Sequence, residues 1–320
     1  MLIWQAVAEV PDDLGASVVT IGVFDGVHRG HRAVVGAAVR RARQDGLPAL
    51  VITFDPNPAQ VVRPDSAPPP VDSLAHRLTL LATLGVDGVL VLRFDAARAA
   101  QSAQEFVDEV IVGALHARVV VVGADFRFGH RAVGDVAMLT TAGRRAGFEV
   151  LALEAVGQVE RFSSTRVRQA VRDGDVATAA AVLGREHRLE GVVVHGDHRG
   201  RRLGFPTANL ALAEGALVPA EGIYAGWLVR ASGQRLPAAI SIGSNPTFAG
   251  TEARVEGHVL DRDDLDLYGE TVALEFVARL RPTLRFDSVE ALVEQMGHDV
   301  AAVRNRLLAG IEPDQAERGD

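Results

Sequence analysis

The apolar positions of the first half of the chain fall into short runs separated by stretches of helical period. Val18 to Val23 is apolar and largely β-branched; a glycine-rich turn follows, then a helical pattern from about His31 to Gln44, then the strand ALVITF at Ala49 to Phe54. That order is a βαβ unit, in which a crossover helix joins two parallel strands. The alternation continues with a helix over Leu74 to Leu84, a strand over Asp87 to Leu92, a helix over Ala100 to Ala114 and a fully buried strand over Ala117 to Gly123. A helix from Met138 to Ala146 and a strand from Phe148 to Leu153 complete it, while the proline-rich Arg63 to Pro70 reads as a surface loop. The first half is therefore a Rossmann-like α/β domain.

After Gly184 the period changes. Short β-branched runs at Leu189 to His195, Gly222 to Arg230, Leu236 to Ile242, Ala253 to Leu260 and Thr271 to Leu280 alternate with turn signals such as Ser232-Gly233-Gln234 and Tyr268-Gly269. The spacing predicts a small antiparallel barrel or sandwich. A last helix opens at Asp287, with its carboxylate as cap and Glu290 reaching back. The domain boundary is expected near Arg185 to Glu190, giving domains 1–185 and 186–320.

Composition narrows the chemistry. The chain has 320 residues, 48% hydrophobic and 23% charged, with no apolar run long enough to span a bilayer. The beginning, MLIWQAVAEVPDD, carries no basic leader, so the chain reads as cytoplasmic with no membrane partner. The absence of cysteine excludes disulfides, thiolate catalysis and zinc-thiolate sites. All 33 basic residues are arginine, which also removes a P-loop lysine and a Schiff-base lysine. A net charge of −8 argues against a nucleic-acid partner, yet local arginines remain free to hold small phosphates. A homo-oligomer is compatible with the sequence.

Three glycines and two histidines stand where the first strand turns into its helix, in GVFDGVHRGH at Gly22 to His31. The free amides of a helix start carry partial positive charge, and Gly22, Gly26 and Gly30 let a phosphate approach them closely. His28 and His31 can then reach the same phosphate and offset the charge that develops during its transfer. Taken singly, these residues read as a cap and a turn; their joint pattern points to a phosphate site. Ser163-Ser-Thr-Arg-Val-Arg168 opens another helix with hydroxyls and puts Arg166 and Arg168 near its positive end, an arrangement that an anion would favour. The segment Gly123 to Gly129, with Asp125, Phe126 and Phe128, follows a buried strand at the sheet edge where such folds bind ligands.

In the second half, Gly191 to Asn209 joins a strand to a glycine-rich loop that ends in PTAN. Gly196, Gly200 and Gly204 let backbone wrap phosphates, with Arg199, Arg201 and Arg202 nearby, while Thr207 and Asn209 offer the neutral oxygens suited to Mg²⁺ shared with ATP. Glu256 is an acid inside an apolar strand run; by alternation it is a solvent-facing residue opposite Val255 and Gly257, and spacing assigns it nothing more. His258 shares its face and is given no catalytic role. The acids Asp261, Asp263, Asp264 and Asp266 lack EF-hand spacing and read as a solvated hairpin.

These segments, GVFDGVHRGH, TFDPNP, GADFRFGHRAVGD and SSTRVR followed by the PTAN block, GIYAGW, SIGSNPTF, VEGHVLD, DLYG and FDSVEAL, resemble the prokaryotic bifunctional riboflavin kinase/FMN adenylyltransferase (FAD synthetase) family over about residues 15 to 308. The resemblance implies a nucleotidyltransferase-type α/β domain followed by a small antiparallel β-barrel with a C-terminal helix, substrates riboflavin, FMN and ATP, and Mg²⁺ as cofactor. It implies that FMN's phosphate attacks the α-phosphorus of ATP, with His28 and His31 stabilising the transferring group. Gly22, Phe24, Gly30, Asn57, Ser164, Thr165 and Arg168 would hold phosphate and nucleotide, and Asp125, Phe126 and Phe128 would line the flavin side. In the barrel it implies Glu256 as catalytic base, Gly196, Gly200 and Arg202 around ATP, and Thr207 and Asn209 on the metal. One residue departs from the family pattern: Asn57 stands where a histidine is usual, so a chain active only as a kinase is one alternative. A flavin- or nucleotide-binding regulator without turnover is another.

Overall fold

The computed structural model describes residues 1–154, 162–196, 200, 203–247 and 250–308. By contacts the chain divides into Met1–Arg166 and Val167–Asp320.

In the first unit six strands form one parallel sheet in the order β1-β4-β3-β2-β5-β6. These are β1 (Leu2–Trp4), β2 (Ser17–Ile21), β3 (Ala49–Asp55), β4 (Gly88–Arg93), β5 (Ala117–Gly123) and β6 (Glu149–Leu153). Every residue of β2 is buried, as a strand covered on both faces requires. Alternation sends Val120 and Val122 to one face, with Ile52, Phe106 and Leu139, and Val119 and Val121 to the other, with Ala38 and Ala42 of α1 (Arg29–Asp45). The chain leaves β2 towards β3 on one side and returns to β5 on the other. The carboxyl ends of β2 and β5 therefore flank the switch point where doubly wound sheets leave a crevice.

Most elements of this unit fall where the periodicity predicts. β1 is an addition, an edge strand whose Trp4 is 6% exposed and packs into the core. After α2 (Pro58–Val62) and α3 (Leu74–Ala82), the helix expected over Ala100 to Ala114 is interrupted. α4 (Ala96–Ala100) ends at Gln101, and Ser102 starts α5 (Ala103–Phe106) with a reciprocal cap: its Oγ accepts from the Glu105 amide at 3.2 Å and its own amide donates to Glu105 at 2.8 Å. A π-helical stretch over Val107–Ala114 continues it. The unit also holds α6 (Val136–Ala146) and the start of α7 (Ser164–Arg172).

In the second unit, α8 (Val176–Leu183) precedes a closed barrel in the order β10-β11-β8-β7-β12-β9. Its strands are β7 (His187–Val194), β8 (Ala208–Leu212), β9 (Gly222–Arg230), β10 (Arg235–Thr247), β11 (Gly250–Val259) and β12 (Thr271–Arg281). Tyr224, Leu228, Ile240, Leu274 and Phe276 fill the interior, each no more than 0% exposed. Closure decides between barrel and sandwich. The last helix, α9 (Val289–Leu308), is capped by Ser288 rather than by Asp287, since the Ser288 hydroxyl accepts from the Ala291 amide at 3.1 Å. Arg281 of β12 holds Asp299 of α9 with a two-pronged pair at 2.8 and 2.6 Å. The acidic hairpin is exposed, with Arg262 on Asp264 and Arg304 on Asp261.

Candidate active sites

The turn after β2 is built from backbone that side chains resist. Phe24 and Val27 have φ of 51° and 36°, and each such residue costs about 1–3 kcal/mol. Burial offsets that cost, because Phe24 is 3% and Val27 0% exposed. His28 then caps α1: its Nδ1 accepts from the His31 amide at 3.3 Å. With Nδ1 used as acceptor, the neutral ring carries its proton on Nε2. The His28 and His31 rings stack with centroids 3.6 Å apart and planes 18° from parallel, and the Phe24 ring meets His31 edge-on at 5.3 Å. Burial, with the nearby His28 and Arg77 adding to it, holds the His31 pKa well below its usual 6.5, so this ring stays neutral. Among the described residues its buried Nδ1 has no hydrogen-bond partner.

The motif glycines have steric reasons. A Cβ on Gly30 would stand 3.1 Å from Cε1 of His28, and one on Gly22 3.0 Å from the Phe24 ring. Ser163 caps α7 through the Arg166 amide, and the Ser164 hydroxyl donates to the Asp25 carbonyl at 2.8 Å, which ties the SSTRVR segment to the glycine turn. Thr165 is exposed; Arg168 is buried further along α7. Asn57 caps α2, its Oδ1 accepting from the Ala59 amide at 3.0 Å while its own amide donates to Gln60 at 3.1 Å. Its carboxamide oxygen is thus engaged in the fold. After β5, Asp125 is exposed and Phe126 half-buried, and Phe126 stacks on Phe128 at 5.3 Å and 12°. Phe128 is 8% exposed and belongs to the core, behind Phe126.

In the barrel, pairing aligns the predicted residues in one row. Asn209 of β8 faces Glu256 of β11 on one side and Val194 of β7 on the other, and Glu256 faces Ser241 of β10. Directly opposed residues share a face, so all four point away from the interior that holds Val255 and Val259. Glu256 and His258 line a cavity of about 650 Å³ with Thr207, Ser241, Leu292 and Met296, the last two from α9. Arg254 donates to Glu256. His258, with no predicted role, accepts or donates through Nδ1 at the Pro206 carbonyl, 2.7 Å away; a carbonyl only accepts, so Nδ1 carries the proton.

Thr207 and Asn209 both line a second, small cavity of about 60 Å³. A Cβ on Gly196 would fall on the Asn209 carboxamide, so only glycine lets that backbone pass. Gly200 accepts at its carbonyl from the Leu203 and Phe205 amides, both at 2.9 Å, and so shapes the approach to Pro206. Gly204 has φ of 84°. Arg199, Arg201 and Arg202 lie outside the described residues. No group of three His, Asp or Glu side chains able to hold a metal occurs among the described residues. Two neutral oxygens beside a phosphate-sized space suit a cation that brings its remaining ligands with a nucleotide.

An α/β sheet with a glycine-rich, histidine-capped helix start at the switch point, and a barrel with an acid beside a hydroxyl and a carboxamide, are the arrangement of a two-unit nucleotide-dependent transferase. Models of two families match accordingly, FAD synthetase over residues 10–166 and riboflavin kinase over residues 183–307. The chain is 40% identical over 289 residues to the bifunctional riboflavin kinase/FMN adenylyltransferase of Escherichia coli K12, covering 90% of this chain and 91% of that one. It is 41% identical over 292 residues to the Pseudomonas fluorescens protein of the same name, covering 90% and 92%. A crystal structure described as a macrolide-efflux protein from Streptococcus pneumoniae superposes with a TM-score of 0.86 at 35% identity, covering 95% of this chain and 98% of that one. No described helix here is long and apolar enough to cross a membrane. The chain belongs to the bifunctional riboflavin kinase/FMN adenylyltransferase family.

Proposed function

We propose that the chain makes FMN and then FAD from riboflavin and two molecules of ATP, with the kinase in the barrel unit and the adenylyltransferase in the α/β unit. The functional domains are 1–185 and 186–320, and Mg²⁺ serves both steps.

In the kinase, Glu256 takes the proton of the riboflavin 5′-hydroxyl as its oxygen attacks the γ-phosphorus of ATP and ADP leaves. The cavity beside Glu256, apolar on its α9 side, supports a flavin ring there. Thr207 and Asn209 hold the metal, which when bound neutralises triphosphate charge, and Gly196, Gly200 and Arg202 serve the phosphates. In the adenylyltransferase, a phosphate oxygen of FMN attacks the α-phosphorus and pyrophosphate leaves. His28 donates from Nε2, and His31, kept neutral, backs it by stacking and offers its own ring proton. Gly22, Phe24 and Gly30 shape the turn; Ser164, Thr165 and Arg168 serve the phosphates; Asn57 contributes its amide hydrogens. Asp125 and Phe126 meet the flavin, with Phe128 as backing. This chemistry is positioning and charge stabilisation, with no covalent enzyme intermediate.

The observation that supports the reading is the register of Asn209 with Glu256, a carboxamide beside a carboxylate on one face of the barrel. The test is to supply riboflavin, or FMN, with ATP and Mg²⁺, and to follow FMN and FAD. FMN without FAD would leave a kinase alone. A Glu256→Gln chain that binds riboflavin but forms no FMN would reject a non-catalytic regulator, whereas undiminished FMN formation would reject Glu256 as base.

A further inference from the structure

α3 carries a charged side chain that no motif includes. Arg77 shares the inward face with Leu80 and Leu81 and is 5% exposed. A guanidinium so placed is costly unless its hydrogens are used. Its shortest hydrogen bond, 2.6 Å from Nη1, goes to the main-chain carbonyl of Val23, in the turn that precedes His28. Nη1 also approaches Thr53 Oγ1 at 3.5 Å, and Thr53 itself donates to the same Val23 oxygen at 3.0 Å. Nη2 lies 3.8 Å from Asp55 at the end of β3.

The charged groups around it are Asp25 in the turn, Asp55 on β3 and Asp72 ahead of α3, with His31 facing it from α1. Burial lowers the Arg77 pKa and the three carboxylates raise it; the guanidinium stays charged, as arginine does in proteins. From Val23 the connection is short. The next residue, Phe24, has a left-handed backbone, and its ring touches His31 edge-on. A shift of the Val23 carbonyl would therefore be passed through Phe24 to the histidine stack.

We propose that Arg77 is a positioning residue for FMN adenylylation: from the inward face of α3 it clamps the Val23 carbonyl and so fixes the strained turn that aims His28 and His31 at the reacting phosphates. The inference rests on the role given to those histidines above.

The test compares the full chain with Arg77→Met, Arg77→Lys and Arg77→Gln. Each is assayed for FAD formation from FMN, for riboflavin phosphorylation, and for the imidazole signals of His28 and His31 by NMR. For Arg77→Met the kcat of FAD formation should fall by about tenfold or more, with KM for ATP and FMN within about threefold. Riboflavin phosphorylation should stay at the wild-type rate. The His31 ring should shift and protonate at higher pH, because a neighbouring positive charge has gone. Arg77→Lys, which keeps the charge and one donor, should recover most of the kcat. Unchanged kcat in Arg77→Met, a loss confined to KM, or an Arg77→Lys chain as slow as Arg77→Met would each overturn the proposal. If Arg77→Met also loses kinase activity, Arg77→Gln decides: wild-type kcat overturns the proposal, and a tenfold loss with kinase activity intact supports it. A wild-type chain that forms no FAD would sink the reading of the α/β unit itself, whatever the variants do.

Discussion

Asn209 and Glu256 are register partners on adjacent strands of the barrel, so a hydrogen-bonded ladder fixes the distance between the proposed metal ligand and the proposed base. The backbone of Gly196 closes over the Asn209 carboxamide and leaves no room for a methyl group. Gly196→Ala should therefore turn Asn209 aside and slow riboflavin phosphorylation by about tenfold, with a raised magnesium requirement. FAD formation from supplied FMN should be unaffected. Rates measured against magnesium concentration for both reactions check this.

The steric case at Gly30 gives the converse pattern. A methyl group there meets the His28 ring at 3.1 Å and pushes it by a few tenths of an ångström out of its place against His31. Gly30→Ala should lower FAD formation by about tenfold to a hundredfold and leave FMN formation alone. A chain that made FAD at the normal rate would remove the stack from the mechanism.

The buried neutral His31 makes folding sensitive to acid. Its folded pKa lies below the ordinary 6.5, so between those two values the unfolded ring binds a proton that the folded ring refuses. Stability must fall as the pH drops through 6.5 and level off, for this group, below the lowered folded pKa. The urea midpoint of the wild type should decline more steeply on acidification than that of His31→Asn. Parallel curves would mean that the ring protonates equally easily in both states.

Arg281 and Asp299 tie β12 to α9, with side chains 15% and 9% exposed. Asp299→Ala strands a mostly covered guanidinium and should cost ~2 kcal/mol, after allowance for its remaining contact with water. Denaturation of the variant should show this loss. Riboflavin affinity should weaken as well, because both residues border the cavity beside Glu256.

How much of this was readable from the chain differs by element. The β2–turn–α1 segment is legible because its determinants are local: β-branched residues, then glycines, then a capping side chain. β8 is the opposite case. Its sequence, ANLAL, has no β-branched residue and is a strand because β7 and β11 pair with it on both sides. The break at Gln101 was hidden because Ser102 with Glu105 looks like ordinary helix surface until the cap forms. Asp287 and Ser288 are equally good caps by composition, and geometry chose the hydroxyl. The paired histidines and Glu256 were visible as motifs, whereas the stacking of the former and the register of the latter needed the fold. His258 gave a signal, two residues from Glu256 on the same face, but its bond to Pro206 is not a sequence property. Arg77 gave none, since an arginine in a short amphipathic helix reads as a solvated residue.

A sheet that closes on itself has no free margin along which one strand can slide or peel away. Residues anchored in that ring, from Ser241 through Glu256 to Asn209, have their spacing set by the strand ladder. On the reading proposed above, admission of the vitamin and departure of its phosphate ester fall to parts hung outside the ring: the 282–288 connection and the helix it leads to, tied down by the Arg281–Asp299 and Arg304–Asp261 pairs.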